Sequence, residues 1–279
     1  FRHHLKPIIV FFAMSCATTI YTNLDTVMLG FIRTDMDVGY YNAAVKVKSV
    51  LLGVVTSLGT VLLPRASYYV EHHETNEFQR ITRKAINFVI LIAIPLTCYF
   101  ILYAREGILF LSGNAYMPAV FPMQIIMPTI LFIGLTNIMG IQMLVPLGRE
   151  KIVLCSEIAG AIVDLIFNVL LIPRLASIGA AIGTLLAEIV VWIVQFTALR
   201  TEILPAYKSI QYPKILLATV AGIVSSGWVK MLDIGNFATL LISSILFFGI
   251  YCAILTVMRE PLVCEVKNQM LAKIKSKIK

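Results

Sequence analysis

Charge is scarce in this sequence. Asp, Glu, Lys and Arg make up 14% of its 279 residues, where a soluble domain carries about 25%. With 59% apolar residues and a mean hydropathy of +0.88, a water-soluble fold is excluded and an integral membrane protein remains. Cysteine is sparse too. Cys16, Cys98, Cys155, Cys252 and Cys264 are odd in number and scattered, with no CxxC spacing, which sets aside a disulfide framework or a zinc site. There is no GxSxG, no HExxH and no P-loop. No catalytic residue, metal or cofactor is therefore assigned, and an ATP-driven pump has no nucleotide-binding segment to use. No run alternates at period two over barrel-strand length, so helices are the remaining way to satisfy a backbone in lipid. The chain opens at Phe1 without an initiator Met or a signal peptide, and an apolar run follows almost at once. It reads as a fragment whose N-terminal part is missing.

What is present is long apolar runs. On a criterion of roughly 20 apolar residues per span, the sequence predicts an all-α polytopic membrane protein. Its eight transmembrane helices are expected near 8–31, 42–63, 85–104, 119–145, 152–172, 178–199, 214–229 and 237–258. Lys and Arg then divide unevenly between alternate loops. Seventeen fall on the side that holds both termini, four on the other, and Lys46 and Lys48 lie within a span. The positive-inside rule places both termini in the cytoplasm. This distribution, not the net charge of +8, carries the meaning, and it argues against nucleic acid as a partner. The loop 64–84 is expected to lie amphipathically along the interface. The basic tail from Val266 onward is expected to touch anionic headgroups. His72 and His73, like His3 and His4, read as solvated loop residues, not a metal site. Pro95 and Pro128 are expected to kink their helices.

The stretch 148–192 organises the rest. Two spans flank a hinge at 173–177, and they carry Glu157, Asp164 and Glu188. An ionisable residue inside a span points to a functional site. Glu157, Asp164 and Asn168 share one face of the fifth span, and Glu157 or Asp164 is expected to meet water. Glu188 reads as a structural partner. Gly179 and Gly183 form a small-xxx-small pattern for close helix approach. On the second span Asn42, Lys46, Ser49, Gly53, Thr56 or Ser57, and Thr60 recur at steps of three and four, hence on one face. Lys46 is a cation facing an aqueous cavity that takes an anionic group, a lysine snorkelling to the external interface, or a lysine paired with an acid. Lys48 is expected to point elsewhere and reach the interface. The first span carries a Ser/Thr face with Asn23 and Asp25 at its margin, and Asp25 is expected to pair with Lys46.

Two stretches resemble a known family. Residues 23–47, NLDTVMLGFIRTDMDVGYYNAAVKV, place an Asp near the end of one helix and a Gly-Tyr-Tyr-x-Ala-Ala run at the start of the next. Residues 146–188 combine a Gly-x-x-Lys loop, an Asn before Leu-Ile-Pro, then Gly-Ala-Ala and a Glu. Both resemble the Wzx-like polysaccharide export flippases of the multidrug/oligosaccharidyl-lipid/polysaccharide (MOP) superfamily. The resemblance implies a second six-helix lobe over 1–199, two added helices and a basic cytoplasmic tail over 200–279, and a first lobe outside this chain. It implies a plasma-membrane protein of a bacterium that flips an undecaprenyl-diphosphate-linked oligosaccharide by alternating access. Membrane lipids and a polysaccharide polymerase would be its partners, and Lys46 its best cation for the diphosphate. A cation-coupled multidrug exporter of the same superfamily is the alternative. A glycosyltransferase would need an acidic loop motif, and Asp35 and Asp37 offer only the letter pattern.

Overall fold

The computed structural model describes residues 2–232 and 234–268. The tail beyond 268 lies outside the described residues, as do the side chains of His3, His4 and Thr60. Every regular element among the described residues is helical. In order they are α1 (Arg2–Ile32), α2 (Asp35–Glu71), α3 (Thr75–Leu102), α4 (Ala104–Ser112), α5 (Val120–Ile126), α6 (Thr129–Thr136), α7 (Glu150–Leu175), α8 (Ser177–Ala198), α9 (Arg200–Ser209), α10 (Tyr212–Gly227) and α11 (Asn236–Val257). Six helices are long and apolar enough to cross a membrane: α2, α3, α7, α8, α10 with its 3₁₀ extension to Met231, and α11. A seventh arises if Asn114–Ile126 and Thr129–Leu144, bent by 45°, count as one span. At 31 residues α1 also has the length of a span.

Local chemistry explains most boundaries. Thr34 opens α2 with a capping box: its hydroxyl accepts from the Asp37 amide, and the Asp37 carboxylate accepts from the Thr34 amide. Two otherwise orphaned donors are thereby satisfied. The 37 residues of α2 extend roughly 55 Å at 1.5 Å per residue, well past a hydrocarbon core of about 30 Å. This corrects the expected interfacial loop. Pro64 lies inside α2, and α2 and α3 meet in a turn at His72, His73 and Glu74, where His73 adopts a φ of 56°. The amphipathic pattern read there is the packing face of α3, with Phe78, Thr82, Ala85, Ile86 and Val89 buried.

The prolines divide likewise. Pro95 sits within a continuous α3, whereas Pro128 marks the break between α5 and α6. After α6 the helix widens into a π-helical stretch, Asn137–Leu144. The expected hinge at 173–177 narrows to one residue. α7 runs through Pro173 to Leu175, and only Ala176, at φ 49° and ψ −128°, separates it from α8. Two segments expected as loops are helical, α4 and α9.

The α7–α8 hairpin is tightly packed through small residues. A methyl group added at Gly179 would lie 2.6 Å from the backbone carbon of Leu171, and one at Gly183 would lie 2.5 Å from Asn168 Oδ1. α10 and α11 dock on α3 through tyrosine hydroxyls aimed at backbone carbonyls. Tyr99 donates to Leu240 O (2.9 Å), Tyr103 to Ser226 O (2.7 Å) and Tyr251 to Leu91 O (2.6 Å). Phe247 and Phe248 complete the aromatic cluster around Tyr99.

Candidate functional site

A cavity of about 450 Å³ opens between α1, α2, the π-helical stretch, α7 and α8. Its wall mixes apolar side chains with Asp25, Tyr41, Lys48, Glu157, Thr184, Glu188 and Gln195. A cation and three acids inside a bundle of membrane-length helices cannot be accounted for by apolar packing alone.

At one end of the cavity four helices converge on the carboxylate of Asp25, which is 2% exposed. Thr184 donates to Asp25 Oδ2 (2.8 Å), Tyr41 donates to the same oxygen, and Asn168 Nδ2 donates to Oδ1 (2.6 Å). Asn168 Nδ2 also reaches Asp164 Oδ2 (3.1 Å), so one amide bridges two buried carboxyl groups. The oxygens Asp164 Oδ1 and Asn168 Oδ1 have no partner among the described residues. Two carboxylates removed from water repel each other and lose hydration. Their charge must be offset by Lys48, which lies within electrostatic reach of Asp25, Asp164 and Glu188, by a proton, or by a small cation. Among the described residues no group of three His, Cys, Asp or Glu side chains could hold a metal ion. Any cation here would instead be met by a mixed set of carboxylate, hydroxyl and amide oxygens.

Toward the other end, Thr18 donates to Glu157 Oε2 (2.9 Å), tying α1 to α7. Gln195 Nε2 donates to Ser156 Oγ (3.0 Å), tying α8 to α7. At the ends of α1 and α7, Arg33 closes α7 by donating to Ile172 O (3.1 Å) and Pro173 O (2.6 Å). A cation suits the negative end of a helix whose last carbonyls lack partners.

The residues singled out in the sequence separate accordingly. Asp25, Asp164 and Asn168 come together, and Asp25 and Glu157 line the cavity. Asn42 accepts a long hydrogen bond from Thr26 (3.3 Å) beside this cluster, while the exposed Asn23 donates to its own helix at Thr19 O (2.8 Å). Lys46 is exposed and off the cavity wall, and Lys48 is on it, the reverse of the expected assignment. No ion pair joins Asp25 to Lys46; Asp25 is instead satisfied by neutral donors. Glu188, read as structural, also lines the cavity. The residues of α2 that line it are Tyr41, Val45, Lys48, Ser49 and Leu52, again at helical spacing but centred about a third of a turn from Lys46, with Ser49 shared by the two faces. Tyr41 was overlooked because it reads as an aromatic in an apolar run. Its hydroxyl is the usable signal, since a buried Tyr O–H seeks a partner.

Comparison with known proteins follows the same lines. The family described as "Polysaccharide biosynthesis protein" matches residues 2–121. A protein of Shigella dysenteriae bearing the name O-antigen transporter is 27% identical over 204 residues, covering 70% of this chain and 48% of that protein. The glycan biosynthesis flippase Agl15 of Haloferax volcanii is 22% identical over 209 residues, covering 74% and 43%. The uncharacterized membrane protein MJ1068 of Methanocaldococcus jannaschii is 26% identical over 212 residues, covering 76% and 42%. The chain thus spans less than half the length of these curated relatives. Among solved structures, the lipid II flippase MurJ in an inward closed conformation superposes with a TM-score of 0.76 at 16% identity, over 92% of this chain and 54% of that one. That likeness establishes the fold. The family match over residues 2–121, the relatives and the fold agree with the resemblance read from the two sequence stretches: the chain is similar to polysaccharide-export flippases.

Proposed function

We propose that the chain forms one lobe of a flippase that moves an undecaprenyl-diphosphate-linked oligosaccharide across a plasma membrane by alternating access. One observation carries the reading: a cavity of about 450 Å³, with Lys48 and several acids on an otherwise largely apolar wall, lies inside a bundle of membrane-length helices. A lipid-linked headgroup needs such a wetted passage while its tail stays in lipid, and a diphosphate needs a cation, for which Lys48 replaces Lys46 as candidate. Residues 1–199 supply the six-helix lobe and 200–279 the added pair and tail. The arginines and lysines of alternate loops support eight spans with both ends cytoplasmic. Relatives occur in bacteria and archaea, so the membrane is assigned as a plasma membrane of a prokaryote, with a bacterium as the source.

The test is complementation. A strain lacking the gene is supplied with the intact protein, wild type or Lys48→Ala, and surface polysaccharide is measured. Restoration by wild type and loss with Lys48→Ala at equal membrane abundance is expected. Full export by Lys48→Ala would remove the lysine from the mechanism, and normal polysaccharide in the deletion strain would end the flippase reading.

The bridged carboxyl pair Asp25 and Asp164 favours a second reading, a cation-coupled multidrug exporter, because such a pair can load and release one proton or small cation. Drug hypersensitivity of the deletion strain with unchanged polysaccharide would select it.

A further inference from the structure

The end of the cavity remote from Asp25 is built differently. Two neutral amides, Asn137 and Gln195, stand on its wall, and a third, Gln142, lies behind it. Asn137 and Gln142 lie on the π-helical stretch and Gln195 on α8, with Gln142 3% and Gln195 2% exposed. Two glycines make room for them. A methyl group on Gly59 would lie 2.6 Å from Asn137 Oδ1 and 2.8 Å from Gln142 Nε2, so these two amides converge on one point of α2. A methyl group on Gly140 would lie 3.1 Å from Gln195 Nε2. Asn137, Gly140 and Gln195 line the cavity.

Each of the three amides keeps its carbonyl oxygen, Asn137 Oδ1, Gln142 Oε1 and Gln195 Oε1, buried and without a partner among the described residues. A buried acceptor left unpaired is destabilising, and three together at a π-helical distortion, itself a frequent mark of functional sites, call for a ligand. Its chemistry follows from the atoms. The free groups are acceptors, so the ligand must donate. Hydroxyls and acetamido N–H groups do so; a diphosphate has no donor to give and gains nothing there.

We propose that Asn137 and Gln195, backed by Gln142, form a donor-accepting subsite for the sugar part of the substrate, while the diphosphate lies toward Lys48. This rests on the flippase reading and adds a direction to the bound headgroup. It makes the amides specificity-determining positions.

Two probes separate the parts: undecaprenyl diphosphate, and undecaprenyl diphosphate carrying an N-acetylated disaccharide. Binding of each to the intact purified protein in lipid nanodiscs is measured for wild type, Gln195→Met and Asn137→Leu, which keep volume and remove the acceptor. The expected result is a loss of about five- to tenfold for the disaccharide lipid with undecaprenyl diphosphate unchanged. Gln142→Met, set back from the cavity wall, serves if either variant loses helicity. Equal effects on both lipids, or on neither, overturn the subsite. If wild type binds neither lipid, the flippase reading falls and the subsite with it. If wild type binds both and the variants do not discriminate, only the subsite falls.

Discussion

Asp25 shows what one buried carboxylate can organise. Its donors come from α2, α7 and α8, so the residue ties together three helices besides its own. Removing it takes an acceptor from three buried donors; Asn168 and Thr184 keep second acceptors in Asp164 Oδ2 and Ala180 O, and Tyr41 keeps Thr184 beside it, so the loss is about 1–3 kcal/mol in all. Asp25→Ala is therefore expected to lower thermal stability in detergent by several degrees and to abolish export. Thr184→Val removes a single donor and should cost about 1 kcal/mol. Equal melting temperatures for Asp25→Ala and wild type would show that the network contributes nothing. The lysines supply the sharper contrast. Lys46 is exposed, and surface substitutions usually stay within about 0.5 kcal/mol, so Lys46→Ala should retain export where Lys48→Ala loses it. The opposite result would place the cavity on the wrong face of α2.

At the scale of elements the α7–α8 hairpin is the rigid part. Its turn is one residue, and that residue is a non-glycine at positive φ. Backbone strain of this sort costs on the order of 1 kcal/mol or more, and glycine adopts the conformation freely. Ala176→Gly is expected to raise the melting temperature. Gly179→Ala should do the opposite, because its new carbon meets a backbone atom of Leu171 that cannot rotate away, and overpacking costs about 1–3 kcal/mol. The pair α10 and α11 is held differently, by hydroxyls aimed at carbonyls of α3, α10 and α11. Tyr251→Phe should weaken that docking by about 1 kcal/mol, read as faster proteolysis of the connection between α10 and α11.

At the scale of the whole molecule the claim with most reach is orientation. If both ends face the cytoplasm, then in a cysteine-free background a thiol placed at His72 should react with a membrane-impermeant reagent only from the inner face. One placed at Ala115 should react only from the outer face. Labelling of both from the same side would break the eight-span topology, and with it the assignment of the cavity's two ends. The pair Asn114–Ile126 and Thr129–Leu144, bent by 45° and ending in a π-helical stretch, borders the same cavity as α2 and α8.

The linear sequence determined the class of structure, because apolar run length and scarcity of charge act residue by residue and need no neighbours. It also placed α7, α8, α10 and α11 to within three residues of their ends and marked the close approach at Gly179 and Gly183. It singled out Asp25, Asp164 and Asn168, which the structure brings together, since a polar group inside an apolar run is conspicuous by itself. Only the tertiary structure decided which lysine borders the cavity, that Asp25 is held by Tyr41 and Thr184 and not by Lys46, and that the loop at 64–84 is helix. The physical reason is that helical periodicity gives the angle between two side chains but not the direction either one faces. That direction is set by partners such as Asn168 and Thr184, 143 and 159 residues away from Asp25, whose arrival no local pattern encodes.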